Sequence, residues 1–371
     1  MKNIRTATFA DYHSIIHFAN TVFGEDFPTL LPKLYQQHPE YAQHHLLLEN
    51  DNAINALLGA FPLTFSIGNQ DLHCVGIGTV CVHPDARHRG YMSQLFDYLM
   101  PELQKLAIDV AFLGGQRQRY EPWGFTPSGT TYSFQLTIDN ARHAQEPLFQ
   151  GSFRLATKDD HFFAQALQLY NQHDFALNRT QQTFWEISQT WQNQLTWIFD
   201  EHNNWLGYCI SNPEKTSICE CYLLDNQNLL AIYYAWSQHY QLSTLEVTQG
   251  PSDDGSFQAL TTACEKLQIT TNTNFAILNF PRVIQATLQA KAAKTPLLSG
   301  RVTIQIGNDT PVAIEIAQGV VTVSPTATAE VHLTQCEATR LLFSPEAVQI
   351  EHPLLRSWAP LPLFISPSDN V

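Results

Sequence analysis

The chain has 371 residues, 44% apolar and 15% charged, which is enough to bury more than one core and too little charge for a disordered polyelectrolyte. With 20 basic against 34 acidic side chains the net charge is -14, which repels phosphate backbones, sets nucleic acid aside as a general partner and favours cations such as polyamines. No apolar run reaches the ~18–20 residues of a membrane-spanning helix, and Met-Lys-Asn-Ile-Arg-Thr lacks the apolar core of a signal peptide, so a cytoplasmic location is expected.

The chain opens on a strand at Arg5-Thr-Ala-Thr, then places Asp11 as a helix N-cap before Tyr12, Ile15, Ile16, Phe18 and Ala19, which recur at helical spacing. A helical stretch from Leu31 to Tyr41 leads to the strand His45-Leu-Leu-Leu-Glu and the turn Asn50-Asp-Asn. His38, His44 and His45 lack partners at a metal-ligand spacing and read as a solvated helix face. Strands from Ala56 to Ser66 and from Leu72 to Val82 flank a hairpin at Asn69-Gln-Asp. After Pro84-Asp-Ala-Arg87-His88-Arg89-Gly90, the residues Met92, Leu95, Phe96 and Leu99 form the next helical face. Val110 to Leu113 is a buried strand, and Tyr132 to Thr137 a later one. Antiparallel strands followed by strand, helix and strand describe a mixed α/β (α+β) sheet, not a doubly wound dinucleotide fold.

The polar stretch from Asp139 to Gly151 has no periodicity and is read as a boundary. The order strand, helix, hairpin, strand, helix, strand then recurs from Phe153 to Thr248 without the glycine-arginine turn, as in a degenerate second copy of the first fold. From about Asn279 a helix is followed by alternating runs at Val302, Val312, Val320 and Ala329, separated by turn residues, as in an antiparallel sheet solvated on one face. Three domains are expected, 1–140, 151–278 and 279–371. The seven cysteines are odd in number and widely spread, so free thiols are expected; no second pair follows to match Cys219 and Cys221, and Asp253-Asp-Gly255 reads as a turn. No metal is expected.

The chemistry-bearing segment is Val80-Cys81-Val82-His-Pro-Asp-Ala-Arg87-His88-Arg89-Gly90-Tyr91-Met92-Ser93. A strand stops at Pro84, and a tight turn delivers Arg87 to Gly90 at a helix start, where outward N–H groups, the helix dipole and the two guanidinium groups converge on an anion. The alternative is an ordinary strand-turn-helix corner with solvated arginines.

The pattern V-x-V-x-P-x-x-R-x-x-G resembles the acetyl-CoA signature of the GNAT N-acetyltransferase superfamily, and Tyr120-Glu-Pro-Trp-Gly124-Phe125 resembles its enhanced intracellular survival branch. The resemblance implies two tandem GNAT-like domains, the second lacking the cofactor signature, then a sterol-carrier-like sheet domain, in a homo-oligomer that is usually a hexamer. It implies acetyl-CoA as cosubstrate and a small cationic amine as acceptor: an aminoglycoside, a polyamine or a lysine-like amine. The cofactor strand falls on Val80, Cys81 and Val82, and the pyrophosphate loop on Arg87, His88, Arg89, Gly90, Tyr91, Met92 and Ser93. The general acid falls on Tyr120, whose other reading is an aromatic packed beside Trp123 and Phe125. The general base is the terminal carboxylate, here of Val371; the family commonly ends in an aromatic residue, and the other reading is a frayed tail. Glu25 and Asp26 fall in the loop that lines GNAT acceptor pockets, and otherwise read as solvated charges at a helix end. The alternative function is a lipid- or sterol-binding module with a vestigial acetyl-CoA site.

Overall fold

The computed structural model describes residues 3–50, 53–140, 149–173, 175–251 and 255–371. Parts of the turn expected at Asn50-Asp-Asn, of the boundary stretch 139–151 and of the turn at Asp253 lie outside the described residues. The chain divides into two compact units: Met1–Gly129 with Asn272–Pro362 and Asn370–Val371, and Thr130–Thr271 with Leu363–Asp369.

The first unit contains β1 (Asn3–Thr6), α1 (Tyr12–Phe23), α2 (Phe27–Leu30), α3 (Pro32–Tyr35), β2 (His45–Asn50), β3 (Ala53–Ile67), β4 (Gln70–Val82), α4 (Tyr91–Lys105), β5 (Val110–Leu113), α5 (Arg117–Tyr120) and β6 (Thr126–Ser128). Across its main sheet the order is β1, β2, β3, β4, β5, strand Thr273–Ile277, then β6. All neighbours along this path pair antiparallel except β4 with β5. Both faces are covered, which is why β2 is a continuous apolar run: Leu47 enters the core under α1 with Ile15, Phe18 and Leu57, while Leu46 and Leu48 enter the core under α4 with Leu58, Leu95 and Phe96.

Several sequence expectations need correction here. Asp11 does not cap α1 with its side chain; it closes a capping box with Thr8 one turn earlier and accepts from Arg5 at 2.8 and 2.9 Å. The helix expected from Leu31 to Tyr41 breaks after Tyr35 and resumes as the 3-10 turn Pro39–His44. His45 leaves the solvated face altogether and is 1% exposed in β2. The strand Thr131–Thr137 belongs to the second unit, not to the first fold, and Thr273–Ile277 pairs with β5 and β6.

The C-terminal sheet of the first unit runs Val320–Pro325, Val312–Ala317, Gly300–Ile306, Val331–Leu333. Val302, Ile304 and Ile306 point inward, and helix Phe280–Lys294 supplies Val283, Ile284 and Leu288 as buried partners. The last strand pairs parallel, so the sheet is not wholly antiparallel as expected. A cavity bordered by Ile284, Ile314, Leu342 and Trp358 measures about 10 Å³, room for about one water and not for a sterol.

The second unit is a seven-stranded sheet in the order Lys266–Thr270, Thr131–Thr137, Thr244–Gln249, Ser217–Leu223, Trp205–Ser211, Gln194–Phe199, Ser152–Leu155. Among the described residues its one parallel pair joins Ser217–Leu223 to Thr244–Gln249. At its centre the buried Arg179 makes a two-pronged pair with Glu220 at 2.5 and 3.0 Å and donates to Asp369 at 2.8 and 3.0 Å. Tyr170 lies 3.7 Å beneath the guanidinium and donates to Asp369, so the tail segment is tied down by charge-assisted bonds and does not fray. Among the described residues no helix is long and apolar enough to cross a membrane, and no group of three or more metal-binding side chains converges. The seven cysteines are free.

Candidate active site

The site is built where β4 parts from β5. The two pair from Cys74 opposite Val110 to Ile77 opposite Leu113, and there β5 ends. Residues Gly78 to Val82 continue alone on that side, held only by β3, so their outer edge has no strand partner among the described residues. On the β3 side, Leu57 faces Cys81 and Gly59 faces Gly78, leaving Thr79 and Val80 opposite Leu58 alone. This is a β-bulge, and Thr79 within it has a φ of 52°, a left-handed conformation that a β-branched residue rarely adopts.

The turn from Pro84 to Gly90 leads directly into α4. His83 caps the 3-10 turn Pro84–Ala86, Arg87 is extended, and Gly90 takes φ 70° as the N-cap of α4, a conformation that glycine adopts without steric cost. Arg87, His88, Arg89 and Gly90 are exposed, Tyr91 is anchored in the core, and Met92 and Ser93 are half-buried on the first turn. Gln94 donates to the carbonyls of Arg89 and Gly90, and Arg89 donates to the Asp85 carbonyl, so the loop is braced while the first-turn N–H groups of α4 keep their outward aim. These groups fit a pyrophosphate, and the unpaired edge of β4 fits an amide-bearing arm.

Val371 is not frayed. Its side chain crosses Gly76 and its carboxyl lies on Gly78: a Cβ at Gly78 would meet the Val371 carbonyl carbon at 2.7 Å and its oxygen at 3.0 Å. Glycine is required there by close approach, and any side chain would displace the terminus. Val371 packs with Tyr12, Phe61 and Cys81 on the α1 side of the sheet.

Tyr120 lies on the other side, in the α4 core with Ile77 and Leu113. Its ring rests on Gly115 just past β5, with the Phe96 ring centre 5.5 Å away. Phe96 also stacks on Trp123 at 4.6 Å, so the Tyr120 ring is packed among aromatics beside the end of β5. Burial pushes its phenol above the usual value, which keeps the proton on oxygen at neutral pH, while Arg119 opposes the shift. The Tyr120 phenol and the Val371 carboxylate therefore lie on opposite faces of one sheet beside the β4–β5 gap.

Glu25 and Asp26 are exposed in the loop after α1, as expected, but the Asp26 carboxylate accepts from Thr29 Oγ1 and so serves the start of α2. Gly78 and Thr79 escape the sequence reading, although Gly76-Ile-Gly78-Thr79 inside a strand is a signal for a bulge or close approach.

Residues 3–127 match the acetyltransferase (GNAT) domain family. The chain thus carries an acetyltransferase domain over about a third of its length. No curated protein matches it significantly. Solved structures share the fold over the full chain: a probable N-acyltransferase from Enterococcus faecalis at 14% identity, covering 99% of this chain and 98% of that one, has a TM-score of 0.71. A GCN5-related N-acetyltransferase from Anabaena variabilis is 15% identical with 100% of both chains covered and a TM-score of 0.71. Eis1 from Mycobacterium abscessus is 11% identical with 100% of both covered and a TM-score of 0.67. These structures show the shared fold, and the acetyltransferase domain rests on the family match over residues 3–127.

Proposed function

We propose that the protein is an acetyl-CoA-dependent N-acetyltransferase of the enhanced intracellular survival type, acting on a primary amine of a cationic acceptor such as a polyamine, an aminoglycoside or a lysine-like amine. What carries the reading is a terminal carboxylate seated against Gly78 at the point where β4 leaves β5. When bound, acetyl-CoA supplies an acetyl thioester as the electrophile. The first turn of α4, with Arg87 and Arg89, holds the pyrophosphate by backbone N–H groups and charge. The free backbone edge from Val80 to Val82 pairs with the pantetheine arm and donates to the carbonyl oxygen on which charge grows.

The neutral amine attacks the carbonyl carbon, forming the C–N bond as the C–S bond breaks. The amine proton passes to the Val371 carboxylate, directly or through one water, and the Tyr120 hydroxyl gives its proton to the leaving sulfur. A terminal carboxylate with an ordinary pKa of ~3.3–3.7 is a weak base, so it works best on an amine already neutral. Glu25, exposed, and Asp26, engaged with Thr29, attract the cationic acceptor. Three functional regions at 1–140, 151–278 and 279–371, the sterol-carrier-like character of the last, a hexameric assembly and a cytoplasmic location belong to the same proposal.

Acetyl-CoA turnover with a polyamine, measured for the full chain and for one ending at Asn370, tests this. Loss of Val371 leaves a new carboxylate one residue short, and about a tenfold or larger fall in kcat is expected. Equal turnover in the two chains contradicts the carboxylate's role.

A further inference from the structure

The mechanism leaves unused a buried polar chain that reaches the bulge of β4. Tyr35 Oη lies 2.5 Å from Thr79 Oγ1 and 2.9 Å from His45 Nε2, and His45 Nδ1 lies 3.1 and 3.2 Å from the carbonyls of Tyr41 and Ala42. The three residues are 2%, 7% and 1% exposed for Tyr35, Thr79 and His45, so no solvent competes along the chain. The Tyr35 backbone carbonyl is itself held by Tyr12 Oη.

Each bond in this chain has one possible direction. Two carbonyls can only accept, so the proton of a neutral His45 sits on Nδ1 and Nε2 offers a lone pair. Burial lowers the imidazole pKa to about 4, so the ring is neutral at physiological pH. Tyr35, pushed up by burial, keeps its proton and donates it to Nε2, and the Thr79 hydroxyl must then donate to Tyr35 Oη. That bond fixes the side chain of the one residue of β4 in a left-handed conformation, directly between Gly78, under the Val371 carboxyl, and Val80, the first residue of the proposed cofactor strand.

We infer that Thr79 is a positioning residue for acyl transfer: the chain Thr79–Tyr35–His45 holds the β4 bulge in the shape that aims the Val80–Val82 backbone at the thioester and seats the carboxyl of Val371. The inference rests on the N-acetyltransferase reading. A strained residue at such a site persists when its surroundings over-determine it, and this chain is the part of the surroundings that grips the side chain. Tyr35 and His45 act through Thr79. Because its proton is committed to Tyr35, the Thr79 oxygen has only lone pairs left to offer.

Full-length wild type, Thr79→Val, Thr79→Ser and Tyr35→Phe are compared for thermal unfolding and for acetyl-CoA turnover with spermidine as the amine. Thr79→Val keeps the branched shape and removes the hydroxyl; its kcat is expected to fall about tenfold or more with the KM for acetyl-CoA within about twofold. Thr79→Ser keeps the hydroxyl and is expected to restore at least about half of the wild-type kcat, whereas Tyr35→Phe falls with Thr79→Val. An unchanged kcat in folded Thr79→Val, or a serine variant as impaired as the valine one, overturns the inference while leaving the enzyme reading intact. If Thr79→Val does not fold, Tyr35→Phe against Thr79→Ser decides the same question: turnover lost in the first and kept in the second supports the inference, and equal turnover in both overturns it. A wild-type chain that transfers nothing overturns the enzyme reading, and this inference with it.

Discussion

Replacing Tyr120 by phenylalanine is expected to lower kcat about a hundredfold while leaving acetyl-CoA affinity within about twofold, because general acid catalysis contributes roughly 10²–10⁴-fold and the ring is retained. The ring's packing on Phe96 and Gly115 needs no hydroxyl, and no protein hydrogen bond engages Tyr120 Oη among the described residues. The substitution therefore removes a proton donor and little else. Its phenol is held above its usual pKa by burial, so it stays protonated at neutral pH, and in the proposed mechanism its proton moves only as negative charge builds on the sulfur. A variant with unchanged turnover assigns Tyr120 to packing alone, and one that does not fold, checked by thermal unfolding, assigns it to the core.

Acidification from pH 6.5 to about 4 is expected to cost the wild type about 3 kcal/mol of stability through His45 alone. In the unfolded chain a histidine titrates near 6.5, whereas the folded ring titrates near 4 because burial disfavours its cation. Between these values the unfolded state binds the extra proton, so stability is full above pH 6.5 and falls as pH drops, by about 1.4 kcal/mol per pH unit. Below about 4 both states are protonated and this contribution stops changing. The groups facing the ring are the Tyr35 hydroxyl, the carbonyls of Tyr41 and Ala42, and His44, whose half-buried ring is also shifted down. Protonated Nε2 would meet a hydroxyl whose own proton points at it, so the chain to Thr79 breaks with the titration. Urea unfolding at pH 7, 6, 5 and 4 of wild type and of a His45→Gln chain measures this. The wild-type profile should steepen relative to the variant, and parallel profiles would contradict it.

Local chemistry made much of the site legible. The turn from Pro84 to Gly90 is readable because a strand-ending proline, two arginines and a left-handed glycine each act within a few residues of one another. The alternating C-terminal strands are readable for the same reason, since period-two burial is local. The exchange of Thr131–Thr137 for Thr273–Ile277 between the two sheets is not readable, because a strand's own pattern does not say which edge it joins. His45 is hard to place because a histidine beside other histidines in a polar segment resembles a solvated face, and only the packing of Phe61 and Tyr35 around it reveals burial. The seat of Val371 rests on two glycines of a strand some 300 residues earlier in the chain, a contact with no local signature.

The most direct test of the account is a calorimetric titration of the full chain with acetyl-CoA, repeated on an Arg87→Ala, Arg89→Ala variant. The account predicts micromolar binding to the wild type and about tenfold or greater weakening in the variant, the loss expected when charge-assisted contacts to a pyrophosphate are removed. Absence of binding to the wild type, or equal binding to both proteins, would contradict the assignment of the α4 turn as the cofactor site.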